Sequence, residues 1–181
     1  MRTISDHILD IVQNSVRAGA SLIEIIVREE INRNLYTVEI RDNGSGMTPE
    51  QLQKSMEPFF TTRTTRKVGL GLPLLRQNTE MTGGSLHIRS KTEVGTTVIA
   101  EFGLNHIDRP SMGDIAGVFI LCATGHADCD FVYTHQTDTG EYSINTRELK
   151  EALGGMSLNT REIREAIREM MENNLKDIDI K

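Results

Sequence analysis

The 181-residue chain lacks an excess of positive charge, a long apolar run and a cysteine framework. Its formal net charge is −6 and its pI is near 5.4. General nucleic-acid binding and adhesion to anionic membranes both need clustered positive charge, so neither is expected. No apolar stretch approaches the roughly 18–20 residues needed to cross a bilayer. The start, Met1-Arg2-Thr3-Ile4-Ser5-Asp6, has no apolar segment of the signal-peptide kind, and a cytoplasmic location is expected. Cys122 and Cys129 are too few for a disulfide scaffold and default to free thiols.

What remains suits a folded domain. Hydrophobic residues make up 38% and charged residues 25%, enough to build a core and too balanced for disorder. Thr3 followed by Asp6 is an acidic capping box that opens an amphipathic stretch, with Ile8, Val12 and Val16 recurring every fourth residue. Strands are expected at 22–29 and 35–41, then a short helix entered at Thr48-Pro49-Glu50. Residues 58–68 read as a loop and 69–82 as a helix in which Pro73 fits only the first turn. A hairpin over 85–90 and 96–102 follows. This order suits an α+β fold, with helices on one face of a mixed, mostly antiparallel sheet.

Residues 105–110 read as a linker. Beyond it, 112–123 is either a buried helix or, at 118–122, an all-apolar strand; periodicity does not separate the two. A hairpin over 131–136 and 141–144 turns at Thr137-Asp138-Thr139-Gly140. Two helices then begin with nearly the same words, Asn145-Thr146-Arg147-Glu148 and Asn159-Thr160-Arg161-Glu162. Asparagine is the expected N-cap of each. Convergent helix starts and a duplicated interaction element both account for the echo. Cys122, His126, Cys129 and His135 match no closed zinc spacing.

Several short motifs carry chemistry. Asp10 and Asn14, four residues apart, share one side of the first helix. An amide oxygen suits Mg²⁺ that bridges phosphates, and a carboxylate one turn earlier can take a proton from an attacking group. In Asp42-Asn43-Gly44-Ser45-Gly46-Met47 the acid can accept from adenine's amino group, and the glycines admit a base close to backbone. Gly69-Leu70-Gly71-Leu72 opens a helix, whose free N–H groups form an anion seat. Before it runs the basic, hydroxyl-rich Thr61-Thr62-Arg63-Thr64-Thr65-Arg66-Lys67. Gly95-Thr96-Thr97 enters the last strand of the hairpin.

In this order, Asp-x-x-x-Asn, Asp-x-Gly-x-Gly, Glu57-Pro58-Phe59-Phe60-Thr61-Thr62, Gly-Leu-Gly-Leu, Gly83-Gly84 and Gly-Thr-Thr resemble the Bergerat (GHKL) ATP-binding domain of gyrase, MutL, heat-shock chaperones and histidine kinases. The segments from Glu57 onward are most similar to the histidine-kinase branch; Asn14-Ser15-Val16-Arg17-Ala18-Gly19-Ala20 is closer to MutL and gyrase.

The resemblance implies a two-layer α/β sandwich over residues 1–104 and leaves 105–181 as a small α/β extension, a protein-interaction element. It implies ATP and Mg²⁺ as cofactors. Asn14 would ligand the metal and Asp42 would read adenine, with Gly44, Gly46 and Met47 bordering the base. Phe59 and Phe60 would anchor a lid, and Thr62, Arg63 and Lys67 would serve the phosphates. Gly69, Leu70, Gly71 and Leu72 would form the phosphate seat, and Thr97 would support it.

Two departures bear on activity. Asp10 stands where hydrolytic members carry glutamate, so a general base is available on a shorter arm. No phosphoacceptor hairpin precedes residue 1, and His7 falls inside the first helix, so self-phosphorylation in the usual histidine-kinase manner is not expected. The expectations are an ATP-dependent regulator that phosphorylates a partner protein, as anti-sigma-factor kinases do, a slow ATPase or ATP-gated binding module, or a kinase subunit acting in trans. The partner is unnamed, and a homodimer is left open.

Overall fold

The computed structural model describes residues 1–57, 70–178 and 180. Six strands form one mixed sheet: β1 (Leu22–Glu30), β2 (Leu35–Asp42), β3 (Ser85–Lys91), β4 (Gly95–Gly103), β5 (Asp130–Gln136) and β6 (Glu141–Asn145). Their order is β3-β4-β2-β1-β5-β6, and every pairing is antiparallel except β1 with β5. The helices are α1 (Ile4–Arg17), α2 (Pro49–Ser55), α3 (Gly71–Met81), α4 (Ile115–Gly125), α5 (Thr146–Ala152) and α6 (Arg161–Asp177). Four of them run across the sheet in a row: α3 lies against β3 and β4, α1 against β1 and β2, α4 against β5, and α6 against β6. The α+β reading therefore holds, and Pro73 takes the first-turn position expected of it.

Strand alternation decides which side chains meet that layer. Along β1, Ile23, Ile25, Val27 and Glu29 are buried while their neighbours are half-buried. Val38 and Ile40 of β2 and Val98, Ala100 and Phe102 of β4 meet Ile4, Ile8 and Ile11 of α1 and Leu75 of α3 around a small apolar seam. The opposite face carries the alternate residues, among them a Glu39 carboxylate that accepts from Arg28 and Arg41. Burial works against that charge, but the two guanidinium groups outweigh it and hold the carboxyl below its ordinary range.

The first helix starts as its sequence demands. Thr3 Oγ1 accepts from Asp6 N, and the Asp6 carboxylate accepts from Thr3 N, closing the capping box. Backbone donors from Arg2 and Thr3 hold the Asp6 carboxyl below its ordinary range. A second clamp comes from far along the chain: the carbonyls of Ser111 and Met112 accept from Ile4 N and Ser5 N. Replacing Thr3 by alanine is expected to cost about 1 kcal/mol and to lower the melting temperature by about 2–4 °C in thermal unfolding. An unchanged melting temperature would mean that the Ser111 and Met112 carbonyls hold this helix start alone.

Residues 115–125 are helix, not strand. Asp114 caps the helix by accepting from Gly117 N, and Arg168 of α6 grips the same carboxylate through two nitrogens. The apolar run here is buried on most sides, so no single face could betray its period. Asn145 caps α5, as its sequence indicates, by accepting from Arg147 N. The second echo differs: Thr160, not Asn159, caps α6, its hydroxyl accepting from Ile163 N. The two helices also differ in length, 7 residues against 17.

The parallel contact of β5 with β1 encloses a polar chain. Glu29 is 3% exposed, His135 1% and Tyr133 0%. His135 Nε2 lies 2.9 Å from Glu29 Oε1, and its Nδ1 lies 2.8 Å from the Tyr133 hydroxyl. Burial raises the Tyr133 phenol well above its ordinary pKa. Burial also pushes the Cys122 thiol up to about 12 and the Cys129 thiol up to about 11, so both stay protonated at neutral pH. Among the described residues no set of three His, Cys, Asp or Glu side chains is arranged to hold a metal ion.

Candidate functional site

The site lies where β2 ends against α1 and β4. Asp42 is the last residue of β2 and stands opposite Thr96. Its Oδ1 accepts from Gly44 N at 2.9 Å and Thr96 N at 3.2 Å, and its Oδ2 accepts from Ser15 Oγ at 2.6 Å. A carboxylate has about four lone-pair positions. Three donors fix this one and leave acceptor capacity for one more.

Removing the Ser15 donor tests that arrangement. Ser15→Ala is expected to lower ATP affinity about tenfold by loosening Asp42, the scale of one hydrogen bond to a charged group. Titration calorimetry reads this directly, and wild-type affinity in the variant would show that Ser15 does not orient Asp42.

The loop after Asp42 is held from three sides. Asn43 turns away, its Oδ1 accepting from Ser21 N and Leu22 N at the start of β1. Ser45 N donates to the Ala18 carbonyl beyond α1, and the Ser45 carbonyl accepts from Glu93 N in the β3–β4 turn. Met47 N donates to Ser90 Oγ, which also lies 2.8 Å from Thr96 Oγ1. Two glycines are required by this closure. Gly46 has φ +65, and an added β-carbon would sit 2.0 Å from the Lys91 carbonyl oxygen. At Gly95, φ is +128 and the same atom would lie 1.9 Å from the Asp42 carbonyl oxygen.

The other half of the site is α1 against the start of α3. Asp10 is half-buried and Asn14 exposed, one turn apart on α1. Leu70 occupies the N-cap position of α3 and supplies no side-chain cap, and because Pro73 carries no N–H, the donors of this first turn are Gly71 N and Leu72 N. Gly71 lies so close to α1 that an added β-carbon would meet Asp10 Oδ2 at 2.0 Å. Behind this contact the buried His7 Nε2 lies 2.9 Å from Asn78 Nδ2 of α3. Burial lowers the His7 pKa and keeps the ring neutral, which suits a core group joining two helices.

The sequence-derived residues thus fall into two clusters. Asp42, Gly44, Gly46 and Met47 share one loop beside α1, and Asp10 meets Gly71 one turn from Asn14. Leu72 packs on the core. Phe59, Phe60, Thr62, Arg63, Lys67 and Gly69 lie outside the described residues. Thr97 stands apart: it pairs with Arg41, while Thr96 shares the helix-side parity of Val98 and Ala100 and contacts Asp42. Thr96, Ser15 and Ser90 are the site residues that motif reading missed. Period-two alternation through Val98 could have found Thr96, and Ser15 directly follows Asn14.

Fold and site together define a protein of the ATP-binding sandwich class, with an acid at a strand end beside α1 and the start of α3 against the same helix. Residues 2–106 match the family described as histidine kinase-, DNA gyrase B- and HSP90-like ATPase, and the chain belongs to it. It carries a histidine-kinase-like ATP-binding domain. Sporulation kinase B of Bacillus subtilis is 33% identical over 98 residues, 52% of this chain and 22% of that protein. Sensor histidine kinase YvrG of the same organism is 27% identical over 97 residues, 51% of this chain and 17% of its own length. The chain therefore spans about a fifth of these relatives. The ADP-bound MutL ATPase domain of Aquifex aeolicus shares the fold, with a TM-score of 0.53 at 17% identity, covering 86% of this chain and 68% of that one. No helix among the described residues is long and apolar enough to cross a membrane.

Proposed function

We propose that this protein binds Mg-ATP between Asp42 and the start of α3 and uses it to regulate a partner protein by phosphotransfer. The carrying observation is the Asp42 carboxylate, fixed by three donors with acceptor capacity left for adenine. Guanine would turn a carbonyl oxygen toward the same acid and be repelled. Asn14 is exposed on the side of α1 that also bears Asp10, where its amide oxygen suits Mg²⁺. The ion would offset charge developing on the phosphates. The first-turn N–H groups of α3 receive phosphate oxygens.

Asp10 takes the remaining role. Its carboxylate accepts the proton of the attacking hydroxyl as that oxygen bonds to the γ-phosphorus and the bond to ADP breaks. Residues 105–181 form the partner-facing part, in a protein that works in the cytoplasm. Ser111 and Met112 hold the start of the helix that carries Asp10 and Asn14, so a partner's pull on this segment reaches the site.

Labelled ATP incubated with candidate partners tests the reading. Acid-stable label on a partner, reduced about 100-fold by Asp10→Asn with ATP binding retained, is the expected result. Acid-labile label would indicate a histidine acceptor. Phosphate release with no labelled protein would favour a slow ATPase, and transfer unaffected by Asp10→Asn would remove Asp10 from the chemistry.

A further inference from the structure

We propose that the outer edge of β3 captures an acidic, extended segment of a partner protein by adding it to the sheet as a further strand. This surface is the rim of the sheet, and the proposal stands independently of the ATP-binding reading above.

The sheet ends in two edge strands, β3 and β6. β3 pairs with β4 over residues 85–91, and among the described residues no other backbone segment takes up its outer edge. α2 lies beside β3 without bonding any of its backbone groups. Such an edge leaves alternate N–H and C=O groups unpaired, a template for another strand.

Alternation gives the edge two unlike margins. Leu86 and Ile88 stand opposite Ala100 and Val98, on the helix side, half-buried against the core. His87, Arg89 and Lys91 are exposed on the other face. Arg89 and Lys91 are cations, and among the described residues neither is paired with a carboxylate. Arg41 differs: it lies beyond Thr97 in the same row as Arg89 but is bound to Glu39. In a chain of net charge −6, this edge is a local reversal of sign.

The same charges disfavour a second copy of the chain. An antiparallel β3–β3 pair would crowd the Arg89 and Lys91 side chains of both copies onto one face, where like charges destabilise a ladder. An acidic strand suits both margins. Glutamate or aspartate at every second position would face Arg89 and Lys91, and aliphatic residues between them would extend the row of Leu86 and Ile88. The partner segment is thus read by alternation, while backbone hydrogen bonds hold it.

Fluorescence anisotropy with the full chain and a labelled peptide, Ser-Glu-Val-Glu-Val-Glu-Val-Ser, tests this. Comparison peptides carry lysine in place of glutamate, or proline in place of the central valine. The expected result is saturable binding of the acidic peptide, about tenfold weaker to the double variant Arg89→Glu, Lys91→Glu and lost with the lysine or proline peptide. The charge-reversed variant should in turn gain the lysine peptide. Arg89→Gln with Lys91→Gln is the milder second variant, expected to bind the acidic peptide about threefold more weakly. Thermal unfolding checks that both variants remain folded. No binding of the acidic peptide by the wild type overturns the proposal, as does equal binding by the variants. Equal binding of the proline peptide overturns it too, because charge alone would then act without strand pairing. Duplex DNA bound more tightly than the acidic peptide would make the edge a nucleic-acid surface and also overturn it.

Discussion

Asp42→Asn is expected to weaken ATP binding at least about 100-fold while leaving the chain folded. The carboxylate accepts from Ser15 Oγ, Gly44 N and Thr96 N. An amide keeps one oxygen and turns an NH₂ group toward donors that now have nothing to donate to. It also presents a donor to adenine's amino group where an acceptor is needed. One hydrogen bond to a charged group contributes about 1.5–3 kcal/mol, and the mismatch adds the cost of an unpaired donor. About 3 kcal/mol corresponds to a factor of about 100 in affinity. Titration calorimetry measures it, with thermal unfolding run alongside. Wild-type affinity in the variant would mean that adenine is not read at Asp42.

Gly95→Ala is expected to destabilise the protein by about 3 kcal/mol, the scale of backbone strain compounded by a steric clash. The added carbon would lie 1.9 Å from the Asp42 carbonyl oxygen, 2.9 Å from its carbon and 3.0 Å from Asn43 Cα, with φ at +128. These are backbone atoms of the adjoining strand, so no side-chain rotation relieves the contact. The strand end carrying Asp42 must move, and nucleotide binding should fall with stability. Gly83→Ala is the control: its φ is +76, but nothing lies within 4 Å of the added atom. It should cost only about 1 kcal/mol. Melting temperatures should fall by about 6–12 °C for Gly95→Ala and about 2–4 °C for Gly83→Ala. Equal losses at the two glycines would contradict the close approach of Gly95 to Asp42.

Much of this architecture is legible in the sequence because its signals are local. The Thr3–Asp6 box, the strand segments at 22–29 and 35–41, and Pro49 at the start of α2 each act within a few residues. The nucleotide motifs are legible for the same reason, since each is a short string beside a strand end or a helix start. What local signals do not carry is who meets whom. Nothing in residues 130–136 announces parallel pairing with β1, yet that pairing buries His135 against Glu29. The apolar run at 115–123 hides its period because it is buried on most sides. Thr96 and Thr97 look alike as neighbours, and only register against Asp42 and Arg41 separates them. The choice of Thr160 over Asn159 as the cap of α6 is likewise a matter of one residue of register. That Gly71 makes room for Asp10 emerges only when α1 and α3 stand side by side.

Titration of Mg-ATP and Mg-GTP into the wild-type protein tests the central claim most directly. Saturable binding of ATP at one site, with GTP weaker by about 100-fold or more, is the predicted result, because Asp42 offers only acceptors to the base edge. Equal binding of the two nucleotides, or binding of neither, would contradict it.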